Sequence, residues 1–180
     1  PYQALPDKKA PPYDTLVSSI IHQQLSIKAG RTIAGRVRAL TPGTGFPKPA
    51  EMLAIAPEVL RDCGLSGQKV TYVTDLAARV AGGSLKLARL KNLDDEAVID
   101  QLTVVRGIGR WSAEIYLMFQ LGRLDVLPLD DLGLQNGAAK AYGLAEKVKG
   151  ADLEKLAEKW RPYRSMATWY LWQNLNAGGL

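Results

Sequence analysis

Cysteine and histidine occur once each in the 180 residues, as Cys63 and His22. A single cysteine closes no disulfide within the chain. It also cannot build a cysteine zinc site or an iron–sulfur cluster. Cys63 reads instead as a small core residue on an apolar helix face, and His22 as a polar surface residue. No apolar run reaches membrane-spanning length and no signal peptide is visible, so a cytoplasmic protein with no membrane partner is expected. Internal repeats and low-complexity segments are also missing. What remains is a chain that is 47% hydrophobic, enough to bury a core in one compact domain or two intimate lobes. Its net charge of +5 and pI near 9.3 shift the odds mildly toward an anionic partner.

Helical periodicity dominates. The run 13–26 carries apolar Leu16, Val17, Ile20, Ile21 and Leu25, with Asp14 as a candidate cap. The run 27–40 sets Ile27, Ile33, Val37 and Leu40 on one side and Lys28, Arg31, Arg36 and Arg38 elsewhere. A Gly/Pro loop at 41–49 precedes two short helices, the second stopped by Gly64. Further helices are expected over 66–83, 94–105, from about Asp131, over 151–160 and over 162–175. Val126 and Leu127 form the nearest strand-like fragment, too short for a sheet. The fold class predicted is all-α, with many short helices.

The stretch "LTVVRGIGRWSAEIYLMFQLG" (102–122) joins two helical runs through Arg106, Gly107, Ile108 and Gly109. Glycines supply positive φ or close backbone approach. Two of them beside a helix start would leave amides free to converge on an anion, for which phosphate is the natural fit. Ile108 would tuck between the helices and Arg110 would add a cation at the rim. An ordinary helical hairpin with glycine punctuation is the bland alternative, and for a bare G-x-G it usually wins.

Here the match is longer. "VVRGIGRWSAE" followed by "DVLPLDDLGLQ" resembles the helix-hairpin-helix (HhH-GPD) DNA glycosylase superfamily, which follows this hairpin with a Gly/Pro-rich loop and an aspartate. Trp111, "LPLDDLG" and "KWRPYRSMATWYLW" (159–172) resemble its 3-methyladenine DNA glycosylase II (AlkA-like) type, over residues 12 to 175. The resemblance implies two helical lobes with the active-site cleft between them. The central lobe would span about 25–125 and contain the hairpin at 102–120. The N-terminal segment and about 126–180 would form the second. No extra N-terminal sheet domain is expected, and one chain is expected to act as a monomer.

The resemblance also implies roles. Asp131 would be the catalytic carboxylate that stabilises positive charge on the deoxyribose as the C1′–N bond breaks. It could equally N-cap the next helix, and Asp130 competes for the role. Trp172 and Trp111 would line the base pocket, where a cationic alkylated purine gains a cation–π contribution. Core packing is the alternative for each tryptophan, and the stronger one for Trp160 and Trp169. Ile115 and Leu132 stand where the AlkA pattern has tyrosines, which predicts a less aromatic pocket. Gln24 takes the place of the residue that enters the duplex, with Gln23 beside it; two solvated glutamines are the plain alternative.

Gly107, Ile108, Gly109, Arg110 and Lys69 would contact DNA, with Lys28, Arg31 and Arg106 as further phosphate candidates. No cofactor is expected beyond a possible Na+ or K+ on the main-chain oxygens of Thr103, Val105 and Ile108. The implied partner is double-stranded DNA containing damaged bases. The implied reaction is hydrolysis of alkylated bases such as 3-methyladenine and 7-methylguanine. A lysine nucleophile follows the hairpin in the endonuclease III branch; Trp111 stands there instead, which implies a monofunctional enzyme. A non-catalytic hairpin DNA-binding module and a glycosylase for deaminated or oxidised bases are the other readings.

Overall fold

The computed structural model describes residues 10–176, and within them the chain is helical with no strand. Ten α-helices run in order: α1 (Pro12–His22), α2 (Ile27–Arg38), α3 (Pro49–Ala54), α4 (Pro57–Asp62), α5 (Gly67–Ala81), α6 (Asp95–Thr103), α7 (Arg110–Tyr116), α8 (Leu132–Ala141), α9 (Gly150–Ala157) and α10 (Arg164–Asn176). Short 3₁₀ turns occur at Leu87–Asn92 and Glu158–Trp160, and a π-helical turn at Leu117–Leu121 continues α7. Contacts divide the chain into two units, Ala10–Ala113 and the chain from Glu114 on. The division falls inside α7. The N-terminal segment expected to join the second lobe lies, for residues 1–9, outside the described residues.

In the Ala10–Ala113 unit, α1 contributes Leu16, Val17, Ile20 and Ile21 to the core, and α5 contributes Val73 and Leu76. α1 packs on α2 and α5, and α3 packs on α5. Ser66 and Asp94 each accept a first-turn amide, from Lys69 and Ala97, and so start α5 and α6. Gly64, at φ 105°, stops the α4 segment as expected, and Cys63 is buried.

Three readings of this region need correction. α1 starts at Pro12 with Pro11 as its cap, because proline already has the φ of a first helical residue. Asp14 is therefore not the cap, and its carboxylate accepts the Phe46 amide at 3.2 Å. The first helix stops at His22, because Ser26 caps a new helix by accepting the Ala29 amide. Leu25 is consequently exposed and Ile27 is 69% exposed; the buried stripe of α2 is Gly30, Ala34 and Val37. His22 is half-buried rather than superficial. Its Nδ1 lies 2.8 Å from the Ser18 carbonyl, and its ring lies against Gly30, where an added Cβ would sit 2.3 Å from the ring.

In the second unit Leu134, Ala138 and Leu153 form the centre, covered by Leu127, Leu129, Val148, Leu156, Trp160 and Leu171. α8 packs along α10. Gly133 and Gly137, one turn apart on α8, permit the close approach. A Cβ at Gly137 would lie 2.8 Å from the Leu171 carbonyl oxygen, and one at Gly133 would lie 2.9 Å from the Trp172 ring. At the other end of α10, the Asp125 carboxylate holds the Arg164 guanidinium at 2.8 Å and Arg161 at 2.9 Å.

Gly137→Ala should therefore destabilise by about 1–3 kcal/mol, since its methyl meets main chain that cannot turn aside. Gly35→Ala in α2, where a Cβ meets nothing within 4 Å, should stabilise by about 0.5–1 kcal/mol. Thermal or urea melts of the two variants check the opposite signs.

Candidate nucleic-acid interface and catalytic carboxylate

The 102–122 stretch forms the expected hairpin, with α6 and α7 joined through Val104–Gly109. Its two glycines serve different ends. Gly107 has φ 81°, and a Cβ there would also strike the Tyr72 ring at 2.1 Å. Gly109 does not have positive φ, and a Cβ there would meet nothing within 4 Å. Its bareness leaves open space above the backbone, room a phosphate can use. Among the described residues, no acceptor lies on the amides of Gly107 or Gly109.

The Arg106 amide donates to Asp75 at 2.9 Å, and Asp75 also holds Arg79 at 2.9 Å. Burial pushes the Asp75 carboxyl up, but the Arg106 amide and the Arg79 guanidinium outweigh it, and the net shift is downward. Ile108 is buried, so only its main chain is available to a ligand. The Arg110 guanidinium is forked onto Glu96 at 2.9 and 2.5 Å. Trp111 is 42% exposed.

A second segment meets this hairpin within the same unit. The Leu25 amide donates to the His22 carbonyl at 3.2 Å, closing a four-residue turn. Gln23 at φ −51°, ψ 131° and Gln24 at φ 55° match a type II turn. Gln24 is the one non-glycine with positive φ among the described residues. Glycine would fit there freely, whereas glutamine carries a strain of about 1–3 kcal/mol. Strain retained at an exposed glutamine points to a use for its side chain.

The Gln23 side chain donates to the Gly107 carbonyl at 2.8 Å, joining turn to hairpin. Together they line a concavity of about 560 Å³ bounded by Ser19, His22, Gln23, Gln24, Gly107, Gly109, Trp111 and Ser112. Lys69, expected at a phosphate, instead directs its ammonium to the carbonyls of Ile21 and Gln23, at 2.7 and 2.6 Å. Main-chain oxygens left without donors at the end of α1 attract the cation.

The acidic site is built in the other unit. Asp131 caps α8, and its Oδ1 accepts the Leu134 amide at 2.5 Å and the Trp172 indole N–H at 2.7 Å. The residue is 7% exposed. The Trp172 ring stacks with Phe119, centroids 6.0 Å apart at 17°. Aspartate, indole and phenyl ring are thus brought together by α8, α10 and the π turn. Ile115 is half-buried, whereas Leu132 is 60% exposed and Asp130 is exposed. Trp160 packs against the unit's core and donates to the Tyr142 hydroxyl at 3.0 Å, and Trp169 meets Tyr170 edge-on. No group of three or more His, Cys, Asp and Glu among the described residues could hold a metal ion.

A family profile described as "HhH-GPD superfamily base excision DNA repair protein" matches residues 17–162. The chain belongs to this superfamily. Among relatives of this HhH-GPD chain, DNA-3-methyladenine glycosylase 1 of Schizosaccharomyces pombe is 34% identical over 167 residues, covering 92% of this chain and 73% of the relative. The S. pombe 3-methyladenine DNA glycosylase solved in complex with abasic DNA matches with a TM-score of 0.84 at 32% identity, over 97% of this chain and 84% of that one. A DNA-3-methyladenine glycosidase from Bacillus halodurans matches with a TM-score of 0.83 at 42% identity, over 93% and 76%.

Phe119 is the aromatic that sequence reasoning missed in this HhH-GPD chain. The π turn Leu117–Leu121 inserts a residue into the helix and changes the phase of every side chain after it. A 3.6-residue period does not place Phe119 beside Trp172; only the aromatic itself, after the hairpin, was visible. Gln24's backbone state was equally hidden, since glutamine carries no turn signal.

Two outcomes are expected. Gly107→Ala should lower the melting temperature, because it combines a disfavoured φ with the Tyr72 clash. Gly109→Ala should leave it near the parent value while weakening binding to undamaged and damaged duplex alike, because phosphate contacts carry no base information; filter binding against salt checks both variants. Because the Asp75 carboxyl sits below its ordinary value when folded, its stabilisation is present above about pH 4 and lost as pH falls through the lower folded value. Asp75→Asn should cost about 1–2 kcal/mol at pH 7 and almost nothing near pH 2, read from urea melts across pH.

Proposed function

We propose that this chain is a DNA glycosylase that hydrolyses the C1′–N bond of alkylated bases in double-stranded DNA. One observation carries the proposal: the buried Asp131 carboxylate, fixed through Oδ1 by the Leu134 amide and the Trp172 indole N–H. A chain that only bound DNA would need neither the buried acid nor its indole donor. The similarity to 3-methyladenine glycosylases supports alkylated purines as the substrate class.

The lesion base would be rotated out of the duplex. Gln24 would enter the gap, and the hairpin amides near Gly107 and Gly109 would hold the backbone. As the C1′–N bond breaks, its electron pair leaves with the base and positive charge develops on the sugar. A purine methylated at N3 or N7 begins cationic and departs neutral, so that leaving group needs no added proton. The Asp131 carboxylate opposes the sugar charge where little water screens it. Water then forms the bond to C1′ and gives up one proton, leaving an intact strand with an abasic site.

No lysine sits at position 111, so water rather than an amine is the attacking group. Trp111 would contribute an exposed aromatic face to the DNA-facing concavity. A monovalent cation, if bound, would take main-chain oxygens of Thr103, Val105 and Ile108 and add positive charge beside a phosphate. The donor type suits such an ion, although the Val105 carbonyl already accepts the Ile108 amide at 3.1 Å. Every proposed role lies on one chain, so a monomer acting where the chromosome lies suffices.

Asp131→Asn should lower excision about a thousandfold or more, equivalent to about 4 kcal/mol in the barrier, while lesion DNA still binds. Trp172→Phe keeps an aromatic ring but removes the N–H on Asp131, so it should lose about ten- to a hundredfold, or about 1.4–2.7 kcal/mol. Released bases are measured from duplexes carrying 7-methylguanine, ethenoadenine, hypoxanthine or uracil. Borohydride should trap no covalent adduct, and strands should break only after alkali. DNA binding with no base released from any duplex would return the chain to a binding module. Faster release of uracil than of alkylated bases would move it to the deaminated-base class.

A further inference from the structure

Lys69 lies in the first turn of α5, where a lysine ordinarily reaches into water. Here its ammonium donates to the carbonyls of Ile21 and Gln23. Burial pulls its pKa below the ordinary lysine value, in keeping with a cation partly removed from water. The two acceptors differ in kind. The Ile21 oxygen belongs to the last turn of α1, where carbonyls lack intrahelical donors. The Gln23 oxygen belongs to the peptide between Gln23 and Gln24, the central peptide of the His22–Leu25 turn.

That peptide has two stable orientations. Passing from type II to type I rotates it by about 180°, changing ψ of the first central residue and φ of the second together. With glutamine at the second position, type I is the sterically easier choice, because only glycine takes the left-handed state freely. A cation fixed on the Gln23 oxygen favours the other orientation. The Gln23 side chain, bonded to the Gly107 carbonyl, holds the same turn from the hairpin side.

We propose that Lys69 is a positioning residue whose ammonium locks the Gln23–Gln24 peptide in the type II orientation, holding Gln24 left-handed so that its side chain is presented to the gap left by the extruded base. The use of Gln24 rests on the glycosylase reading above; the lock itself is a property of this turn. Lys69 thereby acts on DNA through Gln24 and not as a phosphate contact.

The experiment compares the parent with Lys69→Met and Lys69→Arg, with Lys69→Gln as a second neutral variant should Lys69→Met not fold. Labelled protein gives the φ of Gln24 from its amide–Hα coupling and its Cα and Cβ shifts. Excision of 7-methylguanine is measured in duplex and in single strand, and affinity for undamaged duplex is measured against salt. The neutral variant should lose the left-handed signature and about ten- to a hundredfold in kcat/KM on duplex. Its single-strand rate, where no stack needs filling, should change less than twofold. Undamaged-duplex affinity and its salt slope should match the parent, and Lys69→Arg should retain most of the duplex rate. Persistence of left-handed Gln24 in the neutral variant would overturn the proposal. So would equal losses on duplex and single strand, or a salt slope reduced by one contact. If the parent releases no base from either substrate, the glycosylase reading fails, and the Gln24 torsion alone decides whether the lock stands.

Discussion

A carboxylate on a residue only 7% exposed must be met by donors, because a buried charge without them costs several kcal/mol. Asp131 is met at one oxygen by two N–H groups from different helices, the Leu134 amide of its own and the Trp172 indole of α10. Everything around that oxygen is arranged to let both arrive. Capping brings the amide automatically, as at any aspartate that starts a helix. The indole arrives only because α10 lies close to α8, and Gly133 and Gly137 remove the side chains that would keep it away. Asp125, gripping Arg161 and Arg164, secures the other end of α10. Loss of any one of the α10 contacts would leave the acid capped by its own helix but without its indole donor.

The other unit solves a different problem, how to keep main-chain polar groups available. Its hairpin carries amides at Gly107 and Gly109 without protein acceptors among the described residues. The groups around them are occupied instead: the Arg106 amide by Asp75, the Gly107 carbonyl by Gln23, and the carbonyls of Ile21 and Gln23 by Lys69. This division fits backbone-directed binding, in which the loop must be rigid before the anion arrives. It also accounts for the strained Gln24, since a glutamine remains left-handed only where surrounding contacts over-determine it.

Local rules determined much of this protein in advance. Apolar spacing, Asp131 at a helix start and Gly64 at a stop are short-range effects, readable because a helix and its cap are settled within about four residues, whereas Ser26 fell inside the run expected as the first helix. The order of hairpin, Gly/Pro loop and aspartate likewise pointed to the superfamily. What only the tertiary structure decided are contacts between residues far apart in sequence: Trp172 on Asp131, Lys69 on the Gln23 carbonyl, His22 against Gly30 and Tyr72 beneath Gly107. The π turn that carries Phe119 and the exposure of Ile27 belong with them, since packing can override the 3.6-residue period and no window of neighbouring residues records it. A lysine or tryptophan has the same local signal in water and in a site; which carbonyl or carboxylate it meets is set by the helices that bring the partners within 3 Å.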